Sequence, residues 1–491
     1  MRKKYGLIKV LAILLLLVVV VTYFVDGRGG NKEYLAIFDL FFNYMQSFYY
    51  FFDTALVILA IGGFYGLLNR IPAYRKLIEN IIGKIGKKKS VFVIVVTVLF
   101  AIISSLTGLN LVLMLFVPFV ISIILLLGYD KLVALSATVG GILVGFIGGI
   151  LVTVKDSSSQ YEVSYTTLEK IVGLKKSWTL STTLPKCLLL IVGIVLLILY
   201  IINHIKSVGE KSAKYALSTS DPLLVETKER TLKTAVKRKT KRDGKVRVWP
   251  LIVVLCVVFV LLVLGYMPWN SLFGVKCFDE FHEWLTGLTI GKYAVFTSLF
   301  SSTINAFGRW NDSGSYMMTI FLMFMSGIIL ILVYRIKIDD ALDGVLYGIK
   351  KMLLPAMIAI LAYSVLVCTY NNGFIETIVT NASKSFGDNM VVHALITLFG
   401  SILNVDLYYS VAGVFSTIVS SLTDKANLSV FAVMFQSVYG IVQFVGPTSL
   451  LLIVGLSYLE VPYKTWLKYI WRFVVELLIA IFVILMIVSL L

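Results

Sequence analysis

Long apolar segments separated by short polar connections run along the whole chain. Each segment is close to the roughly 20 residues that an α-helix needs to cross the hydrocarbon core of a bilayer. The pattern predicts an all-α polytopic membrane protein with about 10–12 transmembrane helices and no separate soluble domain. The predicted spans lie near residues 6–25, 49–69, 91–105 with 109–127, 131–154, 184–205, 249–267, 315–334, 352–370, 389–403 with 408–423, 429–459 and 470–491.

Composition agrees with this pattern and excludes several classes of protein. Of the 491 residues, 59% are hydrophobic and only 14% are charged, whereas soluble domains carry about 25% charged residues. The net charge of +17 comes from connections between apolar segments, so no folded basic module for nucleic acid is predicted. The four cysteines and three histidines are scattered, without the spacing of a disulfide framework or metal site. No nucleophile–base pair or phosphate loop is recognisable, so we predict neither an enzyme nor a cofactor.

The basic connections predict the topology, because Lys and Arg accumulate in cytoplasmic loops. The multi-pass chain is expected in the cytoplasmic membrane with its N-terminus in the cytoplasm. Residues 1–205 form the N-terminal transmembrane half, 206–248 a basic cytoplasmic linker, and 249–491 the C-terminal transmembrane half. The cluster KRKTKR at 237–242 indicates either ordinary cytoplasmic charge on a linker or contact with the headgroups of membrane lipids.

The two halves share an order of segments. Stretches beginning at Ala73 and Gly373, about 300 residues apart, each show an amphipathic segment and then an apolar run broken by a polar patch. The first amphipathic segment is very basic and should be cytoplasmic. The second, between Asn371 and Asn389, is nearly free of basic residues and should be external. Two similar units of opposite orientation are an inverted repeat, the architecture of many secondary transporters.

Both apolar runs are interrupted, at residues 104–110 and 403–408. A helix break at membrane depth is tolerated only where it is buried in protein or lines a wet cavity. We therefore predict two re-entrant helical hairpins, near 91–127 and 389–423, whose tips supply helix ends to a small organic solute. The candidate substrate-binding residues are Ser104, Ser105, Thr107, Asn110, Asn404, Gln436, Pro447, Thr448 and Ser449.

Asp406 is the one ionisable residue between His393 and Asp424. A charge at bilayer depth costs at least about 2.5–3.5 kcal/mol, so its presence there would indicate function. One hypothesis is that Asp406, with Asn404 and Thr448, binds a coupling cation, either Na⁺ or H⁺. The alternative is that the second hairpin is shallow and Asp406 caps a helix at the external surface.

Two further stretches carry alternative interpretations. Gly446-Pro447 breaks the apolar run at 429–459. Thr448 and Ser449 follow at once, and their hydroxyls either serve the binding site or bond back to the helix at a simple proline kink. In the first half the equivalent stretch, 136–141, is SATVGG. Its glycines favour close helix packing as well as a binding role.

The C-terminal run VGPTSLLLIVGLSYLEVPYKTWLKY, residues 445–469, resembles the C4-dicarboxylate anaerobic carrier family, YfcC-like branch, of the ion transporter superfamily. The similar elements are the Pro-Thr-Ser tract at 447–449, Val-Pro-Tyr at 461–463 and Trp-Leu-Lys at 466–468. ALVILAIGGFYGLLNRIPAY and GYDKLVALSATVGG resemble earlier segments of the family. The resemblance implies an inverted-repeat, elevator-type transporter for dicarboxylates, amino acids or similar organic anions. Members are often dimers, so it also implies a homodimer.

Secondary active transport by ion coupling or exchange is thus the predicted function. One alternative is a membrane enzyme of cell-envelope polysaccharide or lipid-linked polymer synthesis. Such an enzyme would use an external loop, and residues 268–312 contain Arg309, His282 and Glu283. A permease subunit of an ATP-driven system is another alternative, although no helix for coupling to an ATPase is recognisable.

Overall fold

The chain folds almost entirely into α-helices, as the apolar pattern predicts. The structure is a computed structural model. It describes residues 6–27, 34–108, 110–149, 180–210, 247–267, 269–299, 301, 304–310, 316–405, 407–422 and 428–490. The helices of the first half are α1 (Gly6–Thr22), α2 (Ile37–Tyr50), α3 (Phe52–Leu68), α4 (Pro72–Ile85), α5 (Lys89–Thr107), α6 (Val117–Leu126), α7 (Lys131–Leu135), α8 (Gly141–Ile147) and α9 (Leu180–Glu210). A 3₁₀ turn, Val112–Leu115, precedes α6, and a π-helical turn, Ser136–Gly140, joins α7 to α8.

The second half begins with helices that flank an external segment in the predicted topology. These are α10 (Trp249–Tyr266), α11 (Trp269–Phe273), α12 (Cys277–Gly287), α13 (Val295–Leu299) and α14 (Met317–Tyr334). A short antiparallel ribbon pairs β1 (Thr289–Ile290) with β2 (Tyr293–Ala294). The remaining helices are α15 (Ile338–Asn372), α16 (Phe374–Phe386), α17 (Met390–Leu403), α18 (Leu407–Ser410), α19 (Ser416–Ser421), α20 (Leu428–Val445), α21 (Leu450–Tyr458) and α22 (Tyr463–Leu490). A π-helical turn, Val411–Phe415, joins α18 to α19.

Within the described ranges, 7 helices are long and apolar enough to cross a membrane, or up to 8 if the bent pair α2–α3 is one span. The axes of α2 and α3 differ by 64°. Shorter apolar helices cover Gly6–Thr22, Val117–Leu126, Lys131–Ile147 and Met390–Leu403. The all-α polytopic class is therefore confirmed, whereas the count of 10–12 crossings, which includes the hairpin legs, stays a prediction.

Helices α3 and α15 join the two halves through glycines. Gly62 and Gly66 on α3 face Gly344 and Gly348 on α15, and each pair is spaced by four residues, one turn of helix. A Cβ atom on Gly348 would lie 1.9 Å from the Gly62 carbonyl oxygen, and one on Gly66 would lie 2.1 Å from the Gly344 carbonyl oxygen. Only glycine permits backbones to approach so closely, as in small-residue crossings of membrane helices.

The first interrupted run forms a helical hairpin. Helix α5 ends at Thr107, and Gly108 continues the chain at φ +65°. The two ends of the hairpin lie together, because Lys89 Nζ donates to the Leu127 carbonyl oxygen at 2.9 Å. The break near residues 104–110 is thus confirmed, and its depth in a membrane stays a prediction.

The second interrupted run has the same plan. Helix α17 ends at Leu403, and α18 begins at Leu407. The two legs are in contact, because a Cβ atom on Gly400 would lie 2.7 Å from Val414 Cγ2. Helix α16 packs against both legs. The break at 403–408 is confirmed, while Asp406 lies outside the described residues.

The glycines of the stretch after the first hairpin serve close packing. Helix α8 packs along α5, and a Cβ atom on Gly145 would lie 2.3 Å from the Ala101 carbonyl oxygen. On Gly141 it would lie 2.9 Å from the Thr97 carbonyl oxygen. The packing interpretation of these glycines therefore holds in the structure.

The amphipathic helices that precede the two hairpins end in the same way. Helix α4 stops at Gly86 with φ +53° and ψ −120°, and α16 stops at Gly387 with φ +57° and ψ −142°. In both cases the next helix begins three residues later, at Lys89 and at Met390. The two helices therefore stop in the same way at corresponding positions, and the inverted repeat stays a prediction. Opposite orientation of the segments stays a prediction.

We expect Gly86→Ala to lower the free energy of unfolding by about 1–3 kcal/mol, because an L-residue is strained at this φ. The loss of stability would not come from a steric clash, since the nearest atom to an added Cβ is the Gly83 carbonyl oxygen at 4.0 Å. Gly83→Ala is the matched control, because Gly83 lies within α4 with open space beside it. That change should raise stability by up to about 1 kcal/mol. Thermal melts of both variants in detergent test the pair, and equal shifts would contradict the strained turn.

Candidate functional site

The first break is held by hydrogen bonds within the N-terminal half. Ser104 Oγ lies 2.6 Å from Asn110 Oδ1 and 2.8 Å from the Ile142 carbonyl oxygen. Ser105 Oγ donates to the Gly148 carbonyl oxygen at 2.8 Å. Both serines are buried. They fasten the end of α5 to α8 and to the turn after it.

Thr107, the last residue of α5, bonds within its own helix. Its Oγ1 donates to the Ile103 carbonyl oxygen at 2.6 Å. The polar residues predicted at this break therefore lie together, and their hydroxyls have protein partners. Their observed contacts are structural, and a role in binding substrate stays a prediction.

The second break is braced from α20 and from the break that follows it. Tyr439 Oη donates to the Val405 carbonyl oxygen at 3.1 Å. Thr448 Oγ1 donates to the Ile402 carbonyl oxygen at 2.7 Å. These carbonyls lie at or just after the C-terminus of α17, where helical partners are missing. The structure thus brings Thr448 to Ile402 at the second break, two residues before the buried Asn404.

The break at Gly446-Pro447 is confirmed, since α20 ends at Val445 and α21 begins at Leu450. Side chains of α22 satisfy the carbonyls freed there. Tyr463 Oη donates to the Val445 carbonyl oxygen, and Trp466 Nε1 donates to the Phe444 carbonyl oxygen at 2.8 Å. The C-terminal Val-Pro-Tyr and Trp-Leu-Lys elements therefore cap this interrupted helix.

Gln436 connects α20 to the N-terminal half. Its Nε2 donates to the carbonyl oxygens of Gly149 at 2.9 Å and Phe146 at 3.2 Å. The side chain is 1% exposed. The aromatic rings of Phe146 and Tyr439 lie 5.5 Å apart in the same contact. Gln436 therefore lies where the end of α8 meets the helix that braces the second break.

Several buried polar atoms around the second break have no hydrogen-bond partner within the described part of the chain. They are Ser401 Oγ, Ser410 Oγ, Gln436 Oε1, Gln443 Nε2 and Ser449 Oγ. An unsatisfied buried group costs about 1–3 kcal/mol, so native proteins normally pair such groups with water, an ion or a ligand. The second hairpin and the helix after it therefore present a set of polar groups available to a ligand.

The sequence-based list contains Gln436 and Ser449 but misses Ser401, Ser410, Gln443 and the bracing Tyr439. Ser401 could have been found, because it is a polar residue in the last turn of an apolar helix, three residues before the break at Asn404. Tyr439 gives no such signal, since its contact with Val405 depends on how α20 docks. Pro447 breaks the helix and is not itself a donor.

The site carries few charges. Residues 91–127 and 429–459 contain no Asp, Glu, Lys or Arg, and residues 394–423 contain one, Asp406. Any charge on a bound solute must therefore be balanced by helix ends, by polar side chains, by a co-bound ion or by the solute itself.

A separate buried network lies where α7 begins. Asp130 Oδ1 accepts from the Val133 backbone N–H at 2.9 Å, and Asp130 Oδ2 lies 3.1 Å from His204 Nε2. Lys131 Nζ donates to the Leu459 carbonyl oxygen at 2.8 Å. The His204 ring packs on the Tyr469 ring, with centroids 4.8 Å apart. We call Asp130, Lys131, His204 and Tyr469 the Asp130 network; it ties α7 to α9, α21 and α22.

A polar pocket also lies in the segment between α10 and α14. It is lined by Asp279, His282, Glu283, Asn305, Ala306 and Arg309. Arg309 Nε lies 2.7 Å from Asp279 Oδ1, and the arginine side chain is half exposed. The residues considered for the enzyme alternative are thus neighbours, but the arginine is already paired with a carboxylate.

The sequence matches the C4-dicarboxylate anaerobic carrier family over residues 32–490. No curated protein matches it. Among solved structures, the crystal structure of the Alcanivorax borkumensis YdaH transporter is similar, with 10% identity and a TM-score of 0.38. That similarity covers 97% of this chain and 96% of that chain. The family match spans nearly the whole sequence, so the chain belongs to the C4-dicarboxylate anaerobic carrier family and is a carrier, not an enzyme.

Proposed function

We propose that this member of the C4-dicarboxylate anaerobic carrier family is a secondary active transporter of the YfcC-like branch. It moves a small organic solute, such as a dicarboxylate, an amino acid or a similar organic anion, across the cytoplasmic membrane by ion coupling or exchange. The observation that carries the proposal is the set of unpaired buried polar atoms at Ser401, Ser410, Gln436, Gln443 and Ser449. A carrier must bind its solute away from bulk water, and these groups are buried on the two interrupted apolar runs of the second half.

Elevator-type movement fits the packing. Helices α3 and α15 are locked together by glycines, and α1, α2 and α14 pack against this pair. Helix α8 packs with α5, α9 and α20, and α20 packs with α22. The second hairpin packs with α16 and α20, and α21 lies against α15 at the boundary between the two groups. The first group would be the fixed frame, and the second would carry the solute between the two membrane faces. Membrane lipids would cover the outside, and a second copy would complete a homodimer.

The coupling ion is proposed to bind at the second hairpin. Helix breaks expose carbonyl oxygens, which coordinate Na⁺, and a carboxylate there would bind either Na⁺ or H⁺. Asn404 and Thr448 are buried at this break in the structure, and Asp406 lies between α17 and α18 in the sequence. These three residues are the proposed cation ligands.

A thermal-shift screen of the purified chain tests the proposal. It would cross Na⁺, K⁺ and pH against dicarboxylates, amino acids and short-chain acids, because a ligand that binds the folded state raises apparent stability. We expect at least one solute to raise the melting temperature, and more strongly with its coupling ion.

Thr448→Val should lower the affinity for that solute about tenfold, because it leaves the Ile402 carbonyl oxygen at the second break unpaired. The protein should stay folded, because valine has the shape of threonine. Thr380→Val is the matched control, since Thr380 Oγ1 bonds within α16 to the Glu376 carbonyl oxygen. The Thr380→Val protein should bind the solute with the same affinity as the unmodified protein. Equal weakening by both changes would show that Thr448 has no special place in the site, and a screen without any shift would contradict solute transport.

A further inference from the structure

We propose that Gln436 selects for solutes that carry a hydrogen-bond donor beside a carboxylate, namely 2-amino or 2-hydroxy carboxylates. The inference rests on the proposed transport function and adds the chemistry of the substrate. It concerns a residue whose side chain is 1% exposed and which touches both halves of the chain.

The amide of Gln436 has a fixed orientation. A glutamine NH₂ group has two hydrogens, and here Nε2 lies within hydrogen-bond distance of two carbonyl oxygens, those of Gly149 and Phe146. Rotating the amide by half a turn would place Oε1 against those same carbonyls, and two acceptors would then face each other. The backbone therefore holds Oε1 on the opposite side, where it is buried and unpartnered.

A fixed acceptor selects its ligand. An ionised carboxylate has only acceptor atoms, so an unsubstituted dicarboxylate would leave Gln436 Oε1 unpaired. An ammonium or hydroxyl group would supply the missing donor. A site built to hydrogen-bond such a group rejects the analogue lacking it, because the buried partner is then left unsatisfied.

The carboxylate has its own matching donors close by. Thr448 Oγ1 donates to the Ile402 carbonyl oxygen. Ser401 and Ser449 are the chain neighbours of these two bonded residues. The hydroxyls of Ser401 and Ser449 are both unpartnered. Gln436 is one helical turn from Tyr439, which braces the same break. Ser401 and Ser449 therefore supply unpaired donors next to helix breaks, and the fixed acceptor of Gln436 lies one turn from the tyrosine that braces the second break.

Charge favours the amino acid within this class. Residues 91–127 and 429–459 contain no charged side chain, so these two segments offer a dianion no cationic partner. Burying an unpaired charge is expensive. A 2-amino carboxylate brings its own positive charge, so it should bind more tightly than the 2-hydroxy analogue.

Two series of probes with matched skeletons test the inference on the full-length chain. One is aspartate, malate and succinate; the other is alanine, lactate and propionate. Binding is measured by thermal shift and by competition, with the ion conditions of the first screen. In at least one series we expect the amino and hydroxy members to bind about tenfold or more tightly than the unsubstituted acid, the worth of one buried hydrogen bond.

Gln436→Met should abolish this preference, because methionine has a similar length and no carbonyl oxygen. Gln46→Met is the control, since Gln46 Oε1 accepts from Asn371 at the surface, and the preference should persist. The ranking in the unmodified protein needs no variant, so equal affinities would overturn the inference even if Gln436→Met does not fold.

Three results would overturn the inference. Equal affinity for substituted and unsubstituted acids would leave transport standing and remove the role of Oε1. If Gln436→Met lowers the affinity for every solute equally and makes binding less dependent on Na⁺, Oε1 is a cation ligand instead. If no member of either series binds under any ion condition, the inference fails together with the proposed function.

Discussion

Replacing Gly348 with leucine should prevent recovery of a folded, monodisperse protein. The Cβ atom alone would lie 1.9 Å from the Gly62 carbonyl oxygen and 2.6 Å from the carbonyl carbon, both of which belong to rigid helical backbone. Relief requires α3 and α15 to separate along their whole crossing. Overpacking in ordinary cores costs about 1–3 kcal/mol because side chains can shift, and here no side chain can shift. Gly348→Ala should already lower the free energy of unfolding by at least about 1–3 kcal/mol.

Size-exclusion profiles and thermal melts in detergent measure the effect. Gly83→Leu is the matched control, because a Cβ on Gly83 meets no atom within 4 Å. It should elute like the unmodified protein and melt at the same or a slightly higher temperature, because leucine favours a helix more than glycine does. A Gly348→Leu protein with an unchanged profile and melting temperature would show that α3 and α15 do not cross at this distance.

Asp130→Ala should be the second most damaging change, at about 2–4 kcal/mol. It removes the cap on α7, which is worth about 0.5–2 kcal/mol, and a buried hydrogen bond to His204. The Asp130 side chain is 5% exposed, so water replaces these partners poorly. Asp130→Asn should lower the free energy of unfolding less, because asparagine also caps helices and can hydrogen-bond to the His204 imidazole.

The control for this pair is Asp343→Ala, because Asp343 is an exposed residue of α15. This change should alter the free energy of unfolding by less than about 0.5 kcal/mol. Apparent melting temperatures of the three variants rank the effects. If Asp130→Ala and Asp343→Ala melt together, the Asp130 network contributes nothing to stability, and its burial is incidental.

The helix breaks were predictable from sequence, whereas the contacts across them were not. Gly108, Asn404 and Pro447 mark the three interruptions, because each residue disfavours a continuing helix for a local reason. The partners of the freed groups come from distant segments. The bonds from Thr448 to Ile402 and from Gln436 to Gly149 depend on how α20 docks, which apolar periodicity does not encode.

The same limit applies to the glycines. Gly62 and Gly66 stand out in an apolar run, but nothing local identifies Gly344 and Gly348 as their partners. The Asp130 network escaped notice because His204 and Asp130 are far apart in the chain and follow no ligand spacing. The predicted role of Asp406 stays a prediction, as do the substrate contacts of Ser104, Ser105, Thr107 and Asn110.

The crossing of α3 and α15 also sets an order of events during biosynthesis. Gly66 leaves the ribosome well before Gly348, and at about 5–20 residues per second the roughly 280 residues between them take on the order of 15–60 s. During that interval the glycine face of α3 has no partner helix, and lipid or the insertion machinery must cover it. The N-terminal half therefore waits in the membrane as an incomplete unit, and its core closes only after most of the chain has been inserted.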